Sequence, residues 1–250
     1  MQTCCDAVEN EDVDLLKQLL ESKANLEAKN GYGDTALILA ALQGHVECVK
    51  TLIDSRANLE ATNDDGDTAL ICAAFYGNDE CARILLAAKA NIHAKNEGGQ
   101  TALILAAVDG HRSCLQLLIA GRADIEAQNN DGCTALMSSS QNRHTPCMQM
   151  LIDAKADIEA VDNEDDTALL WAALKGNTEC LQVFLDAGAA MEAKNNESMT
   201  ALIYAANDGQ TRCLRMLIDA KADIEARNEK GQNGLILAAL NGHAECLQVL

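Results

Sequence analysis

Apolar and polar positions follow one another along the chain in blocks. Residues 63–95 show one block: a polar turn, an almost wholly apolar run opening at Ala69, a break at Gly77, an amphipathic stretch from about Asp79, and a polar return that ends at Lys95. Leu70, Ala73 and Ala74 give a first helix its apolar side, and Cys81, Ala82, Leu85 and Leu86 form the buried stripe of a second. Thr68 stands where a hydroxyl can accept from the free amides of the first turn, which predicts an N-cap. Each block therefore predicts two short helices and a hairpin.

The block recurs without a slip. Thr35, Thr68, Thr101, Thr134, Thr167 and Thr200 fall 33 residues apart, and Cys48, Cys81, Cys114, Cys147, Cys180, Cys213 and Cys246 keep the same step. A fixed period of this length means stacked units that bury their faces against one another. The predicted organisation is a single array over 1–250, with a capping unit at 1–29, full repeats at 30–62, 63–95, 96–128, 129–161, 162–194 and 195–227, and a partial repeat at 228–250. Residues 1–29 fit the period, and Asn10, Glu11 and Asp12 make them polar, as a terminal cap should be. The last unit keeps the internal apolar pattern at Leu235, Ile236, Leu237 and Leu240, so the expectation is that the array continues past Leu250 or that a partner covers its end.

In length and motif the block resembles the ankyrin repeat, over essentially the whole chain. The family's T-P-L-H-x-A run is matched as TALILA or TALICA, its turn glycine by Gly33, Gly66, Gly99, Gly132 and Gly231, and its Gly-His by Gly44-His45, Gly110-His111 and Gly242-His243. The resemblance implies an all-α repeat solenoid of helix-turn-helix pairs with β-hairpin fingers, a concave face made by fingers and first helices, and protein binding without catalysis. Departures are local. Lys23, Arg56, Lys89, Arg122, Lys155 and Lys221 stand where the family often ends the second helix with Gly, and Asp165 and Ser198 replace the turn glycine. Ser138, Ser139 and Ser140 replace Leu-Ala-Ala and Arg143 a Gly, so the array is expected to be least regular from about 138 to 200.

Charge narrows the partners. A net charge of −19 opposes binding to nucleic acid, which needs Lys and Arg to displace counterions, and favours a basic protein with strong salt dependence. No run approaches the length of a membrane span, and the acidic start from Met1 to Asp14 is unlike a signal peptide. Eleven cysteines without such a signal point to a reducing compartment, the cytosol or the nucleus.

Candidate chemistry is thin. Equivalent cysteines stand about 8–10 Å apart, beyond disulfide reach, and are read as core. His-Cys pairs at i, i+3, such as His45/Cys48 and His111/Cys114, offer two ligands where zinc wants four. Cys133, on a finger just before Thr134, is expected to be exposed and the most reactive thiol. The Glu ladder at Glu27, Glu60, Glu126, Glu159, Glu192 and Glu225, interrupted by His93, is read as solubilising charge before a basic-partner site. No nucleophile with its base and no phosphate loop is found, so no cofactor, metal or catalytic residue is assigned.

What repetition leaves unexplained is the aromatics. Of six, Phe184 falls on a core position, while Tyr32 sits on a finger, Phe75 and Tyr76 end a first helix, and Trp171 and Tyr204 share one register as either framework or surface residues. The expected site is a partner-binding face of Tyr32, Leu42, Asp64, Asp67, Phe75, Tyr76, Trp171, Met199 and Tyr204 on a monomer, unless the uncapped end self-associates. Two other readings stay open, the helical arm of a larger enzyme or channel and a spacer without a specific partner.

Overall fold

The computed structural model describes residues 3–250, and among these it holds sixteen α-helices. They alternate in two kinds. The first helices are α1 (Cys4–Glu9), α3 (Ala36–Gln43), α5 (Ala69–Phe75), α7 (Ala102–Val108), α9 (Ala135–Gln141), α11 (Ala168–Leu174), α13 (Ala201–Asn207) and α15 (Gly234–Leu240). The second helices are α2 (Val13–Glu21), α4 (Val46–Asp54), α6 (Asp79–Ala87), α8 (Arg112–Ala120), α10 (Thr145–Asp153), α12 (Thr178–Asp186), α14 (Thr211–Asp219) and α16 (Ala244–Leu247). Two compact units result, one running to Asn130 and one from Asp131 to Leu250.

In the first unit the first helices pack in the order α1, α3, α5, α7 and the second helices in the order α2, α4, α6, α8; in the second unit the orders are α9, α11, α13, α15 and α10, α12, α14, α16. Small residues allow this close stacking. Ala36, Ala40 and Ala41 of α3 are fully buried, as are the equivalent alanines of its neighbours. The second helices add larger side chains, and Leu52, Leu85 and Leu118 in one unit and Leu151, Phe184 and Leu217 in the other have no exposed surface. Truncating any of these to Ala costs about 2–5 kcal/mol.

Each first helix starts on a side-chain cap. Thr35, Thr68, Thr101, Thr134, Thr167 and Thr200 accept from the third helical amide, and Asn233 does so for α15. The first repeat departs from the period here. Its cap is Thr3, one residue late, closed by a reciprocal bond from its own amide to Asp6, while α2 returns to register 33 residues before α4.

The fingers are tight hairpin turns with almost no strand. Isolated bridges form only at Lys29–Thr35 and Val161–Thr167 among the described residues. The first finger closes with two backbone bonds, Asn30 N to Asp34 O at 2.9 Å and Gly33 N to Asn30 O at 3.2 Å, while Asn30 Oδ1 takes the amides of Tyr32 and Asp34. The stretch from 138 to 200 keeps its backbone step despite its unusual residues. Ser138 and Ser139 return their hydroxyls to Thr134 O and Leu136 O, and Ser140 donates across to Ala168 O, so three polar groups enter the core without an unmet hydrogen bond.

Candidate functional site

In the first unit the fingers and the ends of the first helices carry Tyr32, Leu42, Asp64, Asp67, Phe75 and Tyr76. Tyr32 stands at a finger tip, 79% exposed, on a rigid base. Its amide is held by Asn30 Oδ1 at 2.9 Å, and its carbonyl accepts the Asp64 amide of the next finger at 3.3 Å. The side chain of Asp64 is exposed.

Leu42 and Phe75 occupy equivalent positions, one repeat apart, where α3 and α5 end, and Val108 continues the row at the end of α7; all three project only partly from the surface. Phe75 is 37% and Tyr76 51% exposed, and their rings meet edge to face at 4.9 Å. The backbone beneath this row is braced from the following repeat. Asn78 Nδ2 donates to the carbonyls of Ala41 and Leu42, both at 2.8 Å, and the His111 ring donates through Nε2 to Phe75 O at 2.9 Å. Gly44 and Gly77 make room for these braces, because a Cβ on either would lie 2.7 Å or 2.5 Å from Asn78 or His111.

Asp67 does not belong with the presented residues. It is half-buried and its Oδ1 accepts from Asn96 Nδ2 at 2.8 Å, just as Asp34 accepts from Asn63 at 3.0 Å. Burial pushes its carboxyl above the usual range, with the neighbouring Asp65 and Asp34 adding to the shift and Asn96 opposing it. Its work is to tie one finger to the next.

The second unit corrects three more expectations. Met199 is 6% exposed and packs with Ile203, Ala226 and Leu237, because its register points into the stack. Trp171 and Tyr204 are half-buried with polar ends turned inward: Trp171 Nε1 donates to Asp162 Oδ2 at 2.9 Å, and Tyr204 OH donates to Asp166 Oδ2 at 3.2 Å while accepting from Asn195 Nδ2 at 2.8 Å. Both are finger framework, and burial holds the Tyr204 phenol well above its ordinary range. Lys175 lies over the Trp171 ring at 5.4 Å.

Cys133 is not an exposed thiol. It is 7% exposed, with Asp162 Oδ2 at 3.9 Å and Gln141 Nε2 at 3.6 Å from its Sγ, and burial followed by the Asp162 charge pushes it up to about 11. All eleven cysteines are buried, and burial likewise pushes Cys81 up to about 11 and Cys114 to about 12. Among the described residues no three His, Cys, Asp or Glu side chains converge to hold a metal ion, and no helix is long and apolar enough to cross a membrane.

The sequence reading missed the buried carboxylates Asp162 and Asp166, 7% and 2% exposed. A signal existed for the first, since Asp162 stands in the register that holds Asn30, Asn63, Asn96, Asn195 and Asn228. It also missed what the Glu ladder does. Glu27 Oε1 accepts the Asn58 amide and Glu60 Oε1 the Asn91 amide, both at 2.8 Å, and in the second unit Glu159 and Glu192 take the amides of Ala190 and Asp223 at 2.8 and 2.9 Å. Each of these four carboxylates fastens its own repeat to the following one.

Capped helix pairs repeated at a constant step define a helical repeat protein. The family model described as ankyrin repeats, three copies, matches residues 4–96, 88–162 and 160–228, and the chain belongs to the ankyrin-repeat family. The crystal structure of the human ASB11 ankyrin repeat domain is similar in fold, with a TM-score of 0.79 at 24% identity over 87% of this chain and 98% of that one. No curated protein matches the sequence. Ankyrin repeats are in general protein–protein interaction modules and typically non-catalytic.

Proposed function

We propose that the first unit binds a protein of basic character through Tyr32, Leu42, Asp64, Phe75 and Tyr76. The observation that carries this reading is the exposed Phe75–Tyr76 pair, 4.9 Å apart, on a helix end whose backbone is fixed by His111. Aromatic side chains of this kind supply large contact area at low entropic cost and dominate the energetics of interfaces. The mechanism is rigid display: the braces set the surface before a partner arrives, so little ordering cost is left for association. The net charge of −19 and the exposed Asp64 favour a basic partner and a fast, salt-sensitive encounter. Eleven buried thiols suit a reducing compartment such as the cytosol.

The test is affinity capture with the wild-type chain and with Phe75→Ala/Tyr76→Ala side by side. A protein held by the wild type at low salt, released by salt and lost from the double variant by about 30-fold or more supports the reading. Equal recovery on both chains sinks it.

A further inference from the structure

The Glu ladder of the first unit breaks at one rung, where His93 stands in the register of Glu27 and Glu60. Glu27 and Glu60 each reach the amide 31 residues ahead, that of Asn58 and Asn91, at 2.8 Å. The next residue in the series is His93, and the corresponding amide is that of Asp124, which meets no acceptor among the described residues. A cavity of about 90 Å³ lies at this place, and His93, Lys95, Thr101 and Asp124 are among the residues that line it.

The polar groups here are donors in excess. Lys95 Nζ spends one hydrogen on Gln128 O at 2.7 Å and retains two. Thr101, 4% exposed, uses its oxygen as the cap of α7 and keeps its hydroxyl hydrogen. Asp124 is exposed and turns one carboxylate oxygen, Oδ1, away to the Glu126 amide at 3.1 Å. An unmet backbone N–H, a lysine, an imidazole and a hydroxyl around a space of this size match one chemical group, the group that fills the neighbouring rungs from within the chain.

We infer that the gap at His93 is a binding site for a carboxylate supplied from outside the repeat, which accepts the Asp124 amide and pairs with Lys95 and His93. The cavity admits little more than the carboxylate head, so the ligand presents it at the end of a chain, either as a free acid or as an acidic side chain of a polypeptide. The site is independent of the aromatic face, and neither proposal needs the other.

Amide chemical shifts of the full chain, followed by NMR, test the inference. Sodium acetate is titrated against sodium chloride at matched ionic strength, and a Gly-Glu-Gly peptide blocked at both ends forms a second arm. Acetate is expected to shift the Asp124 amide saturably and to leave Asn58 and Asn91, whose acceptors are in place, unmoved. Tighter saturation by the peptide assigns the ligand to a polypeptide, and saturation by acetate alone assigns it to a free acid. The His93→Glu chain should lose the response and gain about 2–4 °C in Tm, because its new carboxylate completes the rung. The inference is overturned if neither probe moves Asp124 saturably, if His93→Glu responds like the wild type, or if His93→Glu leaves both Tm and the Asp124 shift unchanged.

Discussion

The hydroxyl of Tyr204 donates to Oδ2 of Asp166 at 3.2 Å, while the other carboxyl oxygen of Asp166 is buried without a hydrogen bond. Burial is the main cause that raises the Asp166 carboxyl to about 6, the charge of Asp162 is the next, and Tyr204 and Asn195 oppose them. The folded state therefore favours the protonated form. The stability this contributes is fully present below the unfolded value near 4 and is lost as pH rises through 6. Asp166→Asn, which cannot ionise, should be more stable than the wild type by about 1–3 kcal/mol at pH 7.5 and near-equal at pH 4. Urea unfolding at both pH values checks this; an equal difference at the two would show that the carboxyl does not titrate between them.

The Glu60 carboxylate on the Asn91 amide makes a separate prediction. Glu60→Ala removes an acceptor from an exposed backbone donor and should cost about 1 kcal/mol, with Glu60→Gln, which keeps an acceptor oxygen, costing less. Chemical denaturation ranks the three chains. If Ala and Gln are both neutral, the ladder is solubilising charge after all.

Gly77 and Lys89 share a left-handed backbone, at φ 71° and 74°, but in different company. A Cβ at Gly77 would sit 2.5 Å from His111 Nδ1, so Gly77→Ala adds a clash to the backbone strain and loosens the brace on Phe75 O. It should destabilise by about 1–3 kcal/mol. Lys89 is exposed, and relieving its strain with Lys89→Gly should gain about 0.5–1 kcal/mol. Thermal unfolding separates the two signs, and a destabilised Lys89→Gly would mean that its charge at the end of α6 outweighs the strain.

How far the sequence could be read depends on where each interaction closes. Thr68 caps a turn three residues away, so the helix starts were legible from local pattern, and the 33-residue step placed the buried leucines. The aromatic pair Phe75–Tyr76 stood out because other repeats hold no aromatic there. Illegible were the bonds that close across repeats: Glu60 meets an amide 31 residues on, Asp67 an Asn side chain 29 on, and His111 a carbonyl 36 back. Read locally, the first two are acidic surface. Met199 and Cys133 failed for the same reason, since they share the Asp34 and Asp67 register, which points along the stack toward the next finger.

Cys133 gives the last prediction. Its thiol is raised to about 11 by burial and by Asp162, and only the thiolate attacks a labelling reagent. At pH 7.5 fewer than about one in a thousand of these thiols is ionised, and little of it is open to approach. Ellman's reagent should therefore modify Cys133 in the folded chain no faster than Cys81 or Cys114, and at least about 100-fold slower than in urea. Asp162→Asn removes the nearest negative charge and should speed the reaction at Cys133 while leaving Cys81, which lies in the first unit, unchanged. Selective rapid labelling of Cys133 in the native wild type, located by peptide mass mapping, would restore the reading of an exposed finger thiol.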